Sequence, residues 1–166
     1  MTDCAHEVLG VGHTGITVSD IHRSLRFYRT VLGFPATPPI RIRGLAVERI
    51  TGVPGAELDV ALVRAPGHAI ELLSFVAPED RARSSLRPCD AGFVHLCFKV
   101  RGIDAVVGAA RASGFEAVGP ICTLTDGPAA GMKVVYLRDP DGVCLELSEA
   151  PAGLAFEELM LARATL

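Results

Sequence analysis

A duplicated stretch constrains this chain more than any other feature of its sequence. Gly92 to Val100 reads G-F-V-H-L-C-F-K-V, and Gly12 to Val18 reads G-H-T-G-I-T-V. Side chains along a strand alternate between its two faces, so Leu96, Phe98 and Val100 share one face of the later stretch and His95, Cys97 and Lys99 the other. In the earlier stretch Ile16 and Val18 take the apolar face, and His13 falls with Gly15 and Thr17. Aligning His13 with His95 also aligns Val18 with Val100, Ile21 with Ile103 and, one residue out, Gly33-Phe34 with Gly114-Phe115. Each half then closes on an apolar run holding one carboxylate, A-I-E-L-L at 69–73 and V-C-L-E-L at 143–147. A pattern repeated in this way marks a duplicated supersecondary unit. The chain therefore reads as two copies of one module, each offering one histidine and one glutamate.

Punctuation residues fill in the modules. Ser19 or Asp20 is a suitable N-cap for a helix over Ile21 to Leu32, with Ile21, Leu25, Tyr28 and Leu32 at helical spacing and Gly33 as the stop. Pro35, Pro38 and Pro39 exclude helix and suit an irregular or edge strand. Strands are expected over Ala46 to Thr51 and Leu58 to Arg64, around the turn V-P-G, and over His68 to Val76. Residues 77–91 are polar, carry two prolines and form the expected connection. The second module repeats the order: strand Phe93 to Val100, helix Ile103 to Ala112, Gly114, strand Phe115 to Val118, a loop over 125–131, strand Met132 to Arg138, the turn D-P-D-G at 139–142, and strand Val143 to Glu149. The expected fold class is α+β, with two β-α-β-β-β modules, 8–76 and 92–149, curling as mixed sheet into a cup with flanking helices. A C-terminal helix is expected within 153–166, from about Leu154 to Ala164.

Composition narrows the function. The 166 residues suffice for a sizeable core, and no apolar run approaches the roughly 18 residues a membrane span requires. The opening M-T-D-C-A-H-E has neither a basic nor an apolar region of the kind secretory signals use, so a cytoplasmic location is expected. A formal charge of -3 without a basic run leaves no electrostatic footprint for nucleic acid, and a small-molecule partner is expected instead. Cys4, Cys89, Cys97, Cys122 and Cys144 are odd in number and show no C-x-x-C spacing, which suits reduced thiols.

His13, Glu71, His95 and Glu146 all sit out of phase with the strongest apolar positions of their strands. A carboxylate flanked by aliphatics costs several kcal/mol if buried without a partner. Pairing with Arg49, Arg64 or Lys99 is one remedy. Two imidazoles and two carboxylates around a divalent ion are the other, since the carboxylates neutralise a 2+ charge and the donor types suit borderline to hard metals. His6, His22 and His68 lie in surface-like contexts. Arg49, Arg64 and Arg138 are candidates to hold an anionic group, and Tyr136 to hydrogen-bond substrate.

The stretches H-T-G-I-T-V-S-D-I-H-R-S-L-R-F-Y-R-T-V-L-G-F at 13–34, A-I-E-L-L at 69–73, H-L-C-F-K-V-R-G-I-D at 95–104 and Y-L-R-D-P-D-G-V-C-L-E-L at 136–147 resemble the glyoxalase, bleomycin-resistance and dihydroxybiphenyl-dioxygenase group, the vicinal oxygen chelate superfamily. The resemblance implies a glyoxalase-like domain over 8–150 and paired modules around one divalent metal ion, whether Ni, Co, Zn, Mn or Fe. It carries the metal positions onto His13, Glu71, His95 and Glu146, and implies a homodimer. Metal-free antibiotic-binding members do not keep this set of four. Ring-cleaving dioxygenases use a triad that His13, His95 and Glu146 would satisfy. Glu71 as a fourth ligand resembles glyoxalase I. Methylmalonyl-CoA epimerase commonly has glutamine there and an H-P-K stretch where this chain has R-D-P-D-G. The expected activity is a metal-dependent lyase or isomerase of the glyoxalase type, with proton transfer next to a carbonyl and Glu146, then Glu71, as the base. The alternatives are an extradiol-type dioxygenase and an antibiotic-binding resistance protein.

Overall fold

A computed structural model describes residues 6–127 and 129–154. The chain divides into two compact units, one holding the residues up to Tyr28 with Phe34–Pro78, the other Arg29–Gly33 with the residues from Glu79 onward. Both are built on mixed sheet with few helices, and the fold class is α+β as expected.

In the first unit β1 (Thr14–Thr17) leads into α1 (Ile21–Arg26), followed by β2 (Ile40–Arg43), α2 (Leu45–Thr51), β3 (Glu57–Ala65) and β4 (His68–Ala77). The sheet order is β1-β4-β3-β2, with β1 parallel to β4 and the remaining pairs antiparallel. A parallel pair requires a crossover, which α1 and the long return through β2 and β3 provide. Asp20 caps α1, its carboxylate accepting from the Arg23 N–H at 2.9 Å. Ile21 and Leu25 turn inward against β3 and β4, whose Ala61, Val63, Ile70 and Leu72 are buried on the facing side.

Two expectations fail in this unit. The helix predicted to run unbroken to Leu32 widens after Arg26 into a π-helical turn over Phe27–Val31. Phe27 and Tyr28 are adjacent in sequence and both buried, their rings meeting edge to face at 5.4 Å. The Phe34 N–H donates to Tyr28 O at 2.9 Å just past this turn. The strand predicted over Ala46 to Thr51 is instead the helix α2. Glycines bracket it: Gly44 at its N-terminal end accepts from the Glu48 N–H, and Gly52 ends it in the left-handed region at φ 68°. None of its residues is buried, so no sheet face selects for period two. The strand in question lies earlier, at Ile40–Arg43 just past the prolines, and it is an edge strand as proline-rich surroundings allow.

The second unit follows its prediction more closely: β5 (His95–Lys99), α3 (Ile103–Ala112), β6 (Glu116–Ala117), β7 (Cys122–Thr123), β8 (Lys133–Arg138) and β9 (Cys144–Glu149). The order is β5-β9-β8-β6, with β7 also pairing β8, and β5 runs parallel to β9 as β1 does to β4. The α3 bounds are those the sequence indicates. The short β7 was not anticipated, and β6 is shorter than the expected Phe115 to Val118 strand. Phe98, Ile103, Ala110, Val135, Leu137, Leu145 and Leu147 form the buried side. At the D-P-D-G turn the Gly142 N–H donates to Asp139 O, while Asp139 Oδ1 accepts from the Asp141 and Val143 N–H groups at 2.8 and 2.9 Å. The connection lies over this turn: Arg83 pairs with Asp141 at 3.6 Å, and Arg138 donates to the Leu86 carbonyl.

The described cysteines, Cys89, Cys97, Cys122 and Cys144, are free thiols. Among the described residues no helix is long and apolar enough to cross a membrane. The C-terminal helix expected within 153–166 lies, from residue 155 onward, outside the described residues.

Candidate metal centre

In each unit one histidine meets one glutamate. His13 Nε2 stands 3.3 Å from Glu71 Oε2, and His95 Nε2 stands 2.9 Å from Glu146 Oε2. The two arrangements are built identically. In the first unit Glu71 is in register with Gly15 of β1, and His13 lies two positions before that glycine. In the second, Glu146 is in register with Cys97 of β5, and His95 lies two positions before that cysteine. The histidine thus reaches diagonally across a parallel strand pair to the carboxylate, on the face opposite the core. The sheet register reproduces the alignment read from the sequence, His13 with His95 and Glu71 with Glu146.

Each pair supplies two donors of types that a divalent ion accepts. Two ligands about 2.1 Å from one ion and at right angles to each other stand about 3.0 Å apart, and the two His-Glu separations bracket that length. Imidazole with carboxylate is the donor mixture that first-row divalent metals accept. No third His, Cys, Asp or Glu joins either pair in a group able to hold a metal, among the described residues. Among the described residues, His13 meets Glu71, and His95 and Ser148 meet Glu146, in place of the Arg49, Arg64 or Lys99 pairing that the sequence left open.

The surroundings of the two pairs differ. On the two neighbours of β9, Glu146 is flanked by Cys97 of β5 and by Tyr136 of β8, each in register with it. Tyr136 also stacks at a tilt on His95, centroids 5.0 Å apart, and Phe93 borders the same imidazole at 6.2 Å. Burial first, and then the Glu146 charge, push the Tyr136 phenol up, so it remains a hydrogen-bond donor at neutral pH. Ser148, on the same strand face and 1% exposed, donates to Glu146 Oε1 at 2.9 Å. Its Oγ lies 3.4 Å from Cys97 Sγ. Desolvation pushes the Cys97 thiol up, the Ser148 hydroxyl drawing it partway back and the Glu146 charge adding to the rise, so the group is a thiol and not a thiolate.

Sequence reasoning rated Tyr136 as a substrate contact and gave Ser148 no role. The signal for Ser148 was its phase, two residues beyond Glu146, but a serine in an exposed-looking S-E-A run has no signature until the register is known. Arg138 is engaged structurally, its guanidinium 5.4 Å from the Phe93 ring centroid. His68 is more than a surface residue: its Nε2 lies 2.8 Å from Thr14 Oγ1, tying β4 to the residue after His13.

Each unit thus presents a histidine and a glutamate from a parallel strand pair. The sequence profile described as Glyoxalase/Bleomycin resistance protein/Dioxygenase superfamily matches residues 10–147, and the chain belongs to this superfamily. It is 33% identical over 160 residues to a 2-epi-5-epi-valiolone epimerase from an Actinomyces species, covering 90% of this chain and 84% of that protein. It is 32% identical over 139 residues to the uncharacterised YaeR of Escherichia coli, covering 84% and 95%. Among solved structures, a glyoxalase family protein from Bacillus cereus superposes with a TM-score of 0.75 at 22% identity over 88% of this chain and 97% of that one. The fosfomycin resistance protein FosX of Listeria monocytogenes, complexed with Mn(II) and sulfate, superposes with a TM-score of 0.57 at 15% identity over 93% and 99%. At those identities the two structures speak for the fold.

Proposed function

We propose that the protein is a divalent-metal-dependent isomerase, an epimerase acting on a small polyhydroxylated ketone by proton transfer at the carbon beside the carbonyl. The observation that carries this reading is the duplicated His-Glu pair at ligand spacing. The relative named as an epimerase favours the isomerase arm over the lyase arm. Inverting a carbon-hydrogen stereocentre without net oxidation is simplest when the proton leaves from one face and returns to the other. That path demands a base and a stabilised enolate.

His13, Glu71, His95 and Glu146 are the proposed ligands. A divalent ion bound there would act as a Lewis acid toward the carbonyl oxygen. The chain's own residues supply the rest. Glu146 and Glu71 are the candidates to take and return the proton. Tyr136 packs on His95 and keeps that imidazole turned toward Glu146. A homodimer in the cytoplasm is the proposed working form.

The test is incubation of Mn(II)-loaded protein with a polyhydroxylated cyclic ketone in heavy water, followed by NMR. Deuterium should enter at the carbon beside the carbonyl with no oxygen consumed. Metal-dependent oxygen uptake with a catechol, without exchange in any ketone, would move the assignment to ring cleavage.

A further inference from the structure

A row of side chains crosses the second sheet beside the His95-Glu146 pair. His95 of β5 and Arg138 of β8 are each in register with Cys144 of β9, one on either side of it. Tyr136 and Arg138 are two apart on β8 and so share the face that carries Glu146. Phe93 reaches both ends of the row: its ring centroid lies 6.2 Å from that of His95 and 5.4 Å from the Arg138 guanidinium carbon. Cys144 is 3% exposed although it shares the face of Glu146, opposite the core residue Leu145, so this end of the face is covered.

Arg138 is fixed from its other side. Its Nη2 donates to the Leu86 carbonyl of the connection, and its Nη1 to the Gly142 carbonyl of the D-P-D-G turn at 3.4 Å. The donors of a guanidinium lie in its plane, so bonds to two carbonyls set its orientation and leave its flat face for an aromatic ring. Arg83, 3.6 Å from Asp141, holds the same stretch of connection to the same turn. Tyr136, at 5.0 Å, is the second ring against His95. One imidazole is thus bracketed by two rings, and one of those rings is held by a cation anchored on the connection.

The first unit has the same strand pair without the bracket. Counted in the same register from His13 and Glu71, Val11 stands where Phe93 does, Leu62 where Tyr136 does and Arg64 where Arg138 does. Val11 is 81% exposed and Leu62 46%, and neither carries a ring. Since β1 and β4 pair without it, the bracket is not a requirement of the module. The His-Glu contact is the shorter one where the bracket is present, 2.9 Å against 3.3 Å.

We propose that Arg138 is a positioning residue: anchored on the Leu86 and Gly142 carbonyls, it holds the Phe93 ring against His95 and so fixes the angle at which that imidazole meets Glu146. The orientation of His95 is thereby tied to the seating of the connection on the D-P-D-G turn. The proposal rests on the reading above only in taking His95 as a metal ligand. Partners that orient a ligating histidine commonly contribute about 10- to 100-fold to metal affinity.

The test reads the histidine side chains by proton-carbon NMR of metal-stripped protein, with the His95 signals assigned from the spectrum of His95→Gln. The remaining histidines, His6, His13, His22 and His68, all lie in the first unit. Phe93→Leu and Arg138→Met should each move the His95 signals and leave the other four in place, whereas Phe93→Tyr, which keeps the ring, should leave His95 close to its parent position. In calorimetry, Mn(II) binding should weaken by about 10- to 100-fold in Phe93→Leu and Arg138→Met and return to the parent level in Phe93→Tyr. Should Arg138→Met prove poorly folded, Arg138→Lys, which keeps the cation but cannot reach both carbonyls in one plane, takes its place and should still move the His95 signals alone. His95 signals that stay in place in either Phe93→Leu or the Arg138 variant, or Mn(II) affinity at the parent level in either, overturn the proposal. A parent protein that binds no Mn(II) overturns the metal reading instead, and the histidine signals then decide the positioning by themselves.

Discussion

Single residues in this chain are constrained by positions that only a register reveals. Gly142 is one: it sits at φ 86°, a region side chains rarely adopt, and a β-carbon there would run into the backbone carbonyl of Ser84. Both penalties fall on Gly142→Ala, which should destabilise the protein by at least about 1–3 kcal/mol, read as a lowered midpoint in urea. His68 is another. Its bond to Thr14 steadies the strand that follows His13 but places it on the opposite face of β1 and β4 from Glu71. His68→Ala should therefore keep Mn(II) stoichiometry and lose about 1 kcal/mol of stability, whereas His13→Ala and His95→Ala should each lose metal. If calorimetry showed the reverse split, the face assigned to the histidines would be wrong. The histidines and glutamates were visible in the sequence because an isolated polar residue in an alternating apolar strand stands out. Ser148 was not, because its meaning depends on which neighbour it faces across the sheet.

Helix ends and edge strands set the character of the elements. The Asp20 cap on α1 is charged, and the Arg23 N–H holds the Asp20 carboxyl below the usual carboxylate range. A depressed folded-state pKa contributes stability that is present above about pH 4 and is lost as pH falls through the folded value. Asp20→Ala should accordingly cost about 1 kcal/mol near neutral pH, seen as a lower thermal midpoint, and the difference from the parent should shrink in acid. The edge strand β2 illustrates a different principle. I-R-I-R has an alternating pattern, yet what makes it a strand is its partner: Arg41 lies opposite Asp59 and bonds to both its oxygens and to Glu57, with Nη1 2.8 Å from Glu57 Oε1. Arg41 holds the Asp59 carboxyl below the usual range. The pair is exposed, so it specifies register more than it stabilises. Ala46 to Thr51, by contrast, has three β-branched residues, Val47, Ile50 and Thr51, and a local preference for strand, but the adjacent Glu48 and Arg49 break the alternation and glycines flank the helix.

At the scale of the molecule, duplication is what unites fold and function, and metal is where it should be felt. A ligand that binds only the native state stabilises it by about 2.7 kcal/mol at a concentration 100 times its Kd, so Mn(II) should raise the thermal midpoint of the metal-stripped protein, and a chelator should lower it again. Substitution of either histidine of the two pairs should abolish that shift, measured by scanning calorimetry with and without Mn(II). The sequence by itself determined the duplication, the parallel strand pairs that position the His-Glu pairs and the phase that turns those pairs away from the core. These follow from local rules, namely period-two alternation, glycine stops and the turn chemistry of D-P-D-G, and from a repeat that states each rule twice. Tertiary structure decided the rest. It widened the end of α1 into a π-helical turn, made a helix of Leu45–Thr51 where no sheet face required a strand, and surrounded Glu146 with hydrogen-bonding groups while leaving Glu71 among leucines. Those outcomes depend on which side chains meet across strands far apart in the chain, and such meetings are set by register and packing, which no local run of residues encodes.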